Sequence, residues 1–314
     1  MRVLVVTNLY PTPSRPYICP FVKEQVEAMR GIFPDMTIDV RIIEGLRPRW
    51  AYLRDMVQLP VIGKKSGYDL VHAHFGLTLV STLFLSLPVV VTFHGSDLLV
   101  NPTKHLSRLL APRTSKVIVV AERLRQSLGY GEVIPCGIDV EKFALPSHNV
   151  NLSSLREPGK LRILFPADPE RKIKNYGLFV AVCEELERRG SRIERIHLAN
   201  VPRANVPSIF WKCDVMILTS YSEGSPTVIK EAIAAKLPFV SVDVGDVKEW
   251  ADRIEFGVVT HSKEPNTIAD AVVSLLSRTT RRNQLDNSGC IDMIDIMNSA
   301  RRVRAVYDEV LTGR

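Results

Sequence analysis

Glu223 and Glu231 stand eight residues apart in the stretch TSYSEGSPTVIKEAIAAKLPFVSVDVGDVKEW, on either side of a helix start. Ser225 is of a type that caps helices, and Pro226 suits a first turn, where its missing N–H is not needed. The amides of Gly224, Ser225, Thr227 and Val228 would then point out of the helix N-terminus, a site for an anion such as a nucleotide diphosphate. Glu231 falls two turns in, among Ile229, Ala232, Ile233 and Ala234. A carboxylate there needs donors, which sugar or ribose hydroxyls could supply. A solvated helix glutamate and an N-terminal acid favoured by the helix dipole account for the pair equally well.

Polar groups recur directly after apolar runs. Leu70–Ala73 leads into His74, Phe75 and Gly76, and Val89–Phe93 leads into His94, Gly95, Ser96 and Asp97. A lone histidine is more often structural than functional. His94 stands out because it ends a strand and precedes a glycine that permits close approach. Further on, Arg171, Lys172 and Lys174 cluster in ADPERKIKNYG, with Asn175 placed to cap the next helix. Such a turn could compensate a diphosphate and stabilise charge on a departing phosphate, or be an ordinary basic surface turn.

These residues need elements to hold them, and the chain supplies alternating ones. Arg2–Thr7, Ile38–Ile43, Leu70–Ala73, Val89–Phe93 and Val117–Val120 are expected as buried strands, with helices at Phe21–Arg30, Pro48–Leu59 and Leu77–Leu85. The stretch 144–160, rich in Pro, Ser, Asn and Gly, is expected as a linker. The alternation restarts with strands at Leu161–Phe165, Ile193–Leu198, Val215–Leu218, Phe239–Val242 and Gly257–Val259, and helices at Gly177–Arg189 and Pro226–Ala235. The expected fold is α/β: two Rossmann-like, doubly wound domains facing across a cleft, 1–143 and 161–297, with a last helix over 298–314 returning to the first. Ligands in such folds sit at the carboxyl ends of the strands.

Composition is consistent with this. The 314 residues are 46% hydrophobic, enough for two domains, and the five scattered cysteines form no CxxC pair, which points to a reducing cytoplasm and away from structural zinc. Leu77–Phe93 is broken by polar residues and Pro88, so no membrane span is expected. The net charge of +7 is uneven: in 41–65 Arg41, Arg47, Arg49, Arg54, Lys64 and Lys65 stand against only Glu44 and Asp55, with Trp50, Tyr52 and Leu53 interleaved. That segment fits an anionic membrane surface or a solvated helix face; no nucleic-acid module accompanies it.

Taken together, HAHFG, TFHGSD, VIPCGID, ERKIKNY and SYSEGSPTVIKEAIAAKLPF resemble the retaining glycosyltransferases of family four, which have the two-domain GT-B fold. The resemblance spans nearly the full length and is strongest to bacterial enzymes of surface-polysaccharide and teichuronic-acid assembly. It implies that His94 contacts the donor sugar and that Arg171 and Lys174 hold the diphosphate. Glu223 would touch the transferred sugar, and Gly224, Ser225 and Thr227 would offer donors. Glu231 would bind the ribose, with Tyr17, His74 and Asp97 on the acceptor side. The chain departs from the pattern at Tyr17-Ile18-Cys19-Pro20, where a glycine-rich loop is usual, at Asp168, where Arg is frequent, and at Lys236, where a small residue or glycine is frequent.

The implied reaction moves a sugar from a nucleotide diphosphate-sugar to a glycan or lipid-linked hydroxyl, with retention. No Asp-x-Asp triplet occurs, so no metal and no cofactor are expected. A nucleotide-sugar 2-epimerase, or a non-catalytic partner subunit of the same fold, are the alternatives.

Overall fold

The computed structural model describes residues 1–13, 15–43, 50–100, 102–146, 159–279 and 281–313. They form two compact units, Met1–Gly137 with Ile296–Arg314, and Ile138–Asp295.

In the first unit β1 (Arg2–Thr7), β2 (Thr37–Ile42), β3 (Leu70–His74), β4 (Val89–Phe93), β5 (Lys116–Val119) and β6 (Glu132–Val133) build a parallel sheet in the order β2-β1-β3-β4-β5-β6. Its strands are apolar on both sides because both faces are covered. Alternate residues separate two cores. Val3, Val5, Leu70, Val90 and Ile118 meet Ala300, Val303, Val306 and Tyr307 of the C-terminal helix Ile296–Thr312. Leu4, Val6, Val71, Val91 and Phe93 meet Ala51, Tyr52 and Leu59 of the helix Trp50–Ser66.

Two expectations in this unit are corrected. Leu77–Leu85 is not an α-helix but a tight 3₁₀ segment, Gly76–Thr82. Thr78 Oγ1 donates to the carbonyls of Phe75 (2.6 Å) and His74 (3.0 Å), and Thr82 Oγ1 to that of Leu79 (2.9 Å), drawing those carbonyls out of an α-ladder. The helix expected to stop at Leu59 instead continues through Pro60 to Ser66. Buried Leu59 and Gly63 anchor it, and a Cβ on Gly63 would lie 3.1 Å from Leu87 Cδ1. Of the basic segment, Arg41 pairs with buried Asp55 at 2.7 Å, and Tyr52 is buried with its hydroxyl accepting from Asn8 Nδ2 at 3.0 Å. Arg47 and Arg49 lie outside the described residues.

The second unit carries β7 (Lys160–Phe165), β8 (Arg192–His197), β9 (Val215–Leu218), β10 (Phe239–Val242) and β11 (Gly257–Thr260) in the order β11-β10-β9-β7-β8. The chain enters this unit at Ile138, ahead of the 143/144 boundary read from the sequence. Ile138 and Phe143 are buried in its core, and the Ile138 amide donates to the Ile294 carbonyl at 2.8 Å. Most of the segment expected as a linker, 147–158, lies outside the described residues. The last helix starts at Ile296 rather than 298. Lys236 follows the helix Thr227–Ala234 with φ of 50°, a left-handed position where L side chains are strained, which gives the physical reason for a glycine there. Among the described residues, no helix is long and apolar enough to cross a membrane.

Candidate active site

In the second unit the chain runs from β7 to β8 on one side of the sheet and then returns to β9 on the other, so β7 and β9 flank a topological switch point. Ligands in open parallel sheets bind beyond the strand carboxyl ends at such a point. Lys174, on the loop after β7, meets Glu223, on the loop after β9: Nζ donates to Oε1 at 2.6 Å, and Ser220 Oγ donates to the same oxygen at 2.6 Å. Backbone contacts staple the loops together. Thr219 Oγ1 donates to the carbonyls of Lys174 (3.1 Å) and Asn175 (3.0 Å), and the Tyr221 amide donates to the Ile173 carbonyl at 2.9 Å. Asn175 occupies the helix-cap position in left-handed backbone, φ 55°, but its side chain makes no capping bond. Arg171 is exposed and, among the described residues, makes no ion pair with Glu223.

The Ser225 expectation is corrected. The helix begins at Thr227 with Pro226 at its cap position, and no side chain caps it. Ser225 Oγ instead donates to Asp246 Oδ2 at 2.5 Å and accepts from Lys230 Nζ. Lys230 is fully buried, 4.0 Å from Asp246 Oδ2 and 5.6 Å from the Trp250 ring centroid. Trp250 Nε1 donates to the same Asp246 oxygen at 2.9 Å. The carboxylate lies on the loop after β10, so it satisfies a buried cation and leaves Ser225 no freedom to turn to the helix amides. Gly245, next to Asp246 on the loop after β10, presses on the loop that carries Glu223. It has φ of 58°, and a Cβ there would lie 2.6 Å from the Gly224 carbonyl oxygen and 3.3 Å from Glu223 Cβ. Glu223, Gly224, Ser225 and Thr227 all remain partly exposed.

Glu231 is buried, as the apolar residues around it imply. Arg203, which follows β8, reaches its Oε1 at 2.7 Å, while the guanidinium lies 5.0 Å from the Phe143 ring centroid. Loops after β8, β7, β9 and β10, four neighbouring strands, thus contribute Arg203, Lys174, Glu223 and Asp246. Among the described residues, no three His, Cys, Asp or Glu side chains are grouped closely enough to hold a metal ion.

In the first unit the polar residues form a ladder along β3 and β4. His72 Nδ1 bonds Tyr307 Oη at 2.6 Å and His72 Nε2 bonds Thr92 Oγ1 at 2.7 Å. The His72 and His74 rings are 4.3 Å apart. His74 Nδ1 then bonds His94 Nε2 at 3.0 Å, one ring donating and the other accepting, and His94 Nδ1 lies 3.7 Å from Cys136 Sγ. Phe21 and Phe75 rings flank His94 at 4.9 and 4.6 Å. Burial pushes all three imidazoles down, His74 to about 3, so each is neutral at pH 7. His94 is the partly exposed end of the ladder; His74 is buried and supports it, so it is not open to an acceptor.

Asp97 is likewise turned inward. Its carboxylate accepts the amides of Gly95 (2.9 Å), His94 (3.2 Å) and Gly76 (3.2 Å), tying the turn after β4 to the one after β3. Burial raises its carboxyl above the usual carboxylate range, against the smaller opposing pull of those amides. Tyr17 is 51% exposed on the loop after β1. Lys230, Asp246, Gly245 and Arg203 were not singled out in the sequence. Lys230 had one visible signal, a lysine inside the apolar run VIKEAIAA.

Residues 3–142 match the Glycosyltransferase Family 4 model and residues 181–290 match Glycosyl transferases group 1. The chain belongs to the family-four type of glycosyltransferase with the two-domain GT-B fold. It is 24% identical to the Bacillus subtilis protein described as teichuronic acid biosynthesis glycosyltransferase TuaC, across 87% of this chain and 88% of that one. Among solved structures, sucrose-phosphate synthase from Thermosynechococcus elongatus superposes with a TM-score of 0.77 at 14% identity, with all of both chains covered. Anabaena HepE in complex with UDP-glucose gives 0.69 at 14% identity over 98% of this chain and 100% of that one.

Proposed function

We propose that the chain takes a sugar from a nucleotide diphosphate-sugar and passes it, with retention, to a hydroxyl of a glycan or lipid-linked acceptor in bacterial surface-polysaccharide or glycoconjugate synthesis. The observation that carries this reading is the Lys174–Glu223 contact across the β7/β9 switch point, on the loop that enters the Thr227–Ala234 helix. The UDP and UDP-glucose bound to HepE support a nucleotide-sugar donor, and the description of TuaC supports the polysaccharide role.

In this reading the diphosphate takes Lys174 Nζ from Glu223, with Arg171 and the helix amides adding to the positive field. The released Glu223 carboxylate accepts hydroxyls of the transferred sugar. Glu231 accepts from the ribose and shares its carboxylate with Arg203. In the first unit neutral His94, oriented by His74, contacts the sugar. Neither glutamate acts as a nucleophile, since both serve as acceptors. The acceptor oxygen therefore bonds to the anomeric carbon from the face the phosphate leaves, and its proton passes to the departing phosphate oxygen. No metal bridge is invoked, because Lys174, Arg171 and the helix N-terminus oppose the developing charge.

Incubation of the full chain with UDP-, GDP-, ADP- and CDP-sugars and candidate acceptors, with and without EDTA, tests this, the product anomer being read by NMR. Retained configuration and turnover insensitive to EDTA are expected. An inverted product would sink the retaining mechanism, EDTA-dependent turnover the metal-free one, and an epimerised sugar formed without acceptor would replace transfer by 2-epimerisation.

A further inference from the structure

The Trp50–Ser66 helix is apolar on two opposite faces. Ala51, Tyr52, Leu59 and Gly63 are buried inward. On the other side Trp50, Leu53, Val57 and Val61 are 54%, 53%, 65% and 52% exposed. Their spacing of three, four and four residues stacks them in one stripe along the helix, opposite the buried face. A helix facing water ordinarily carries polar side chains there, and contiguous exposed apolar surface of this kind marks a contact face.

The charges around the stripe have one sign. Arg54, Lys64 and Lys65 are exposed, and the Arg54 guanidinium lies 5.6 Å from the Trp50 ring centroid. The helix's one acidic residue, Asp55, is fully buried and paired with Arg41 and Arg54 at 2.7 and 3.3 Å.

We propose that this stripe is a docking face for an anionic phospholipid surface. The helix lies in the plane of the interface, with Trp50, Leu53, Val57 and Val61 at the acyl boundary and Arg54, Lys64 and Lys65 among headgroup phosphates. Long basic side chains can keep their charges at that level while their stems cover apolar surface. A second copy of the chain fits less well, because a twofold contact would bring the same cationic flanks together. The inference rests on this helix alone and is independent of the donor chemistry.

Co-sedimentation of the full chain with phosphatidylcholine vesicles, with and without phosphatidylglycerol, tests it. Binding should rise steeply with the anionic fraction and fall with salt. Val57→Glu with Val61→Glu, both at exposed positions, should weaken it at least tenfold with an unchanged melting temperature. Lys64→Gln with Lys65→Gln should reduce the preference for anionic vesicles. Equal binding to neutral vesicles, or native-strength binding by the double glutamate variant, would overturn the proposal. So would self-association abolished by that variant, which would give the face to a second copy.

Discussion

Lys174 and Glu223 are 49 positions apart in sequence, yet their charged groups meet at 2.6 Å. Each was legible as a residue type in a suggestive segment; their pairing was not, because it depends on β7 and β9 being neighbours. Glu231 was legible in one respect only. Its burial was legible from the apolar residues around it, but Arg203 as its partner was not, since no local pattern links the loop after β8 to this helix. Ser225 was misassigned because capping preference is local, whereas Asp246 and Lys230, which hold its hydroxyl, are set by tertiary packing. Gly245 offers a test at this scale. An added Cβ meets backbone, the Gly224 carbonyl at 2.6 Å, so the Glu223 loop must move. Misplacing a reacting group by about 1 Å costs on the order of 100-fold in rate. Gly245→Ala should therefore lose at least tenfold in transfer rate with its circular dichroism unchanged, and full activity in that variant would contradict the placement of Glu223.

The histidine ladder belongs to β3, β4 and the C-terminal helix together, joined through His72, Thr92 and Tyr307. The sequence marked His74 and His94 by their position at strand ends. It gave no sign that His72 would face a tyrosine 235 positions later, because the C-terminal helix covers this face only after the chain has passed through the second unit. This packing has a consequence for pH. Burial lowers the folded-state affinity of each ring for protons, so below pH 6.5 the unfolded chain binds protons that the folded one excludes, for His74 down to about pH 3. Stability is then full above pH 6.5 and declines below it, by up to about 1.4 kcal/mol per pH unit for each histidine. Melting temperatures should fall steadily from pH 7 to 4.5, and His74→Gln should flatten the slope. A melting temperature constant across that range would contradict the buried, neutral ladder.

At the scale of the whole molecule the alternation of apolar runs and amphipathic segments was enough to read two doubly wound units, because strands buried on both faces leave continuous apolar runs. Short β6 had too few residues to show. The exit from the first unit was read late, since Ile138 and Phe143 look like any apolar residues until the core that takes them is known. The exposed stripe of the Trp50–Ser66 helix was hidden for a similar reason: apolar residues on opposite faces blur the helical period that usually separates inside from outside. For the whole molecule, the transfer rate tests most directly the proposal that sugar transfer depends on the Lys174–Glu223 pair. Glu223→Gln and Lys174→Met should each lower the rate at least 100-fold, as loss of a preorganised charge does, when assayed below the melting temperature of each variant, since each leaves one charge without its partner. The double variant, which removes both charges and leaves neither buried alone, should stay equally inactive. Near-native transfer by either single variant, or recovery in the double one, would contradict the account and leave the pair a purely structural ion pair.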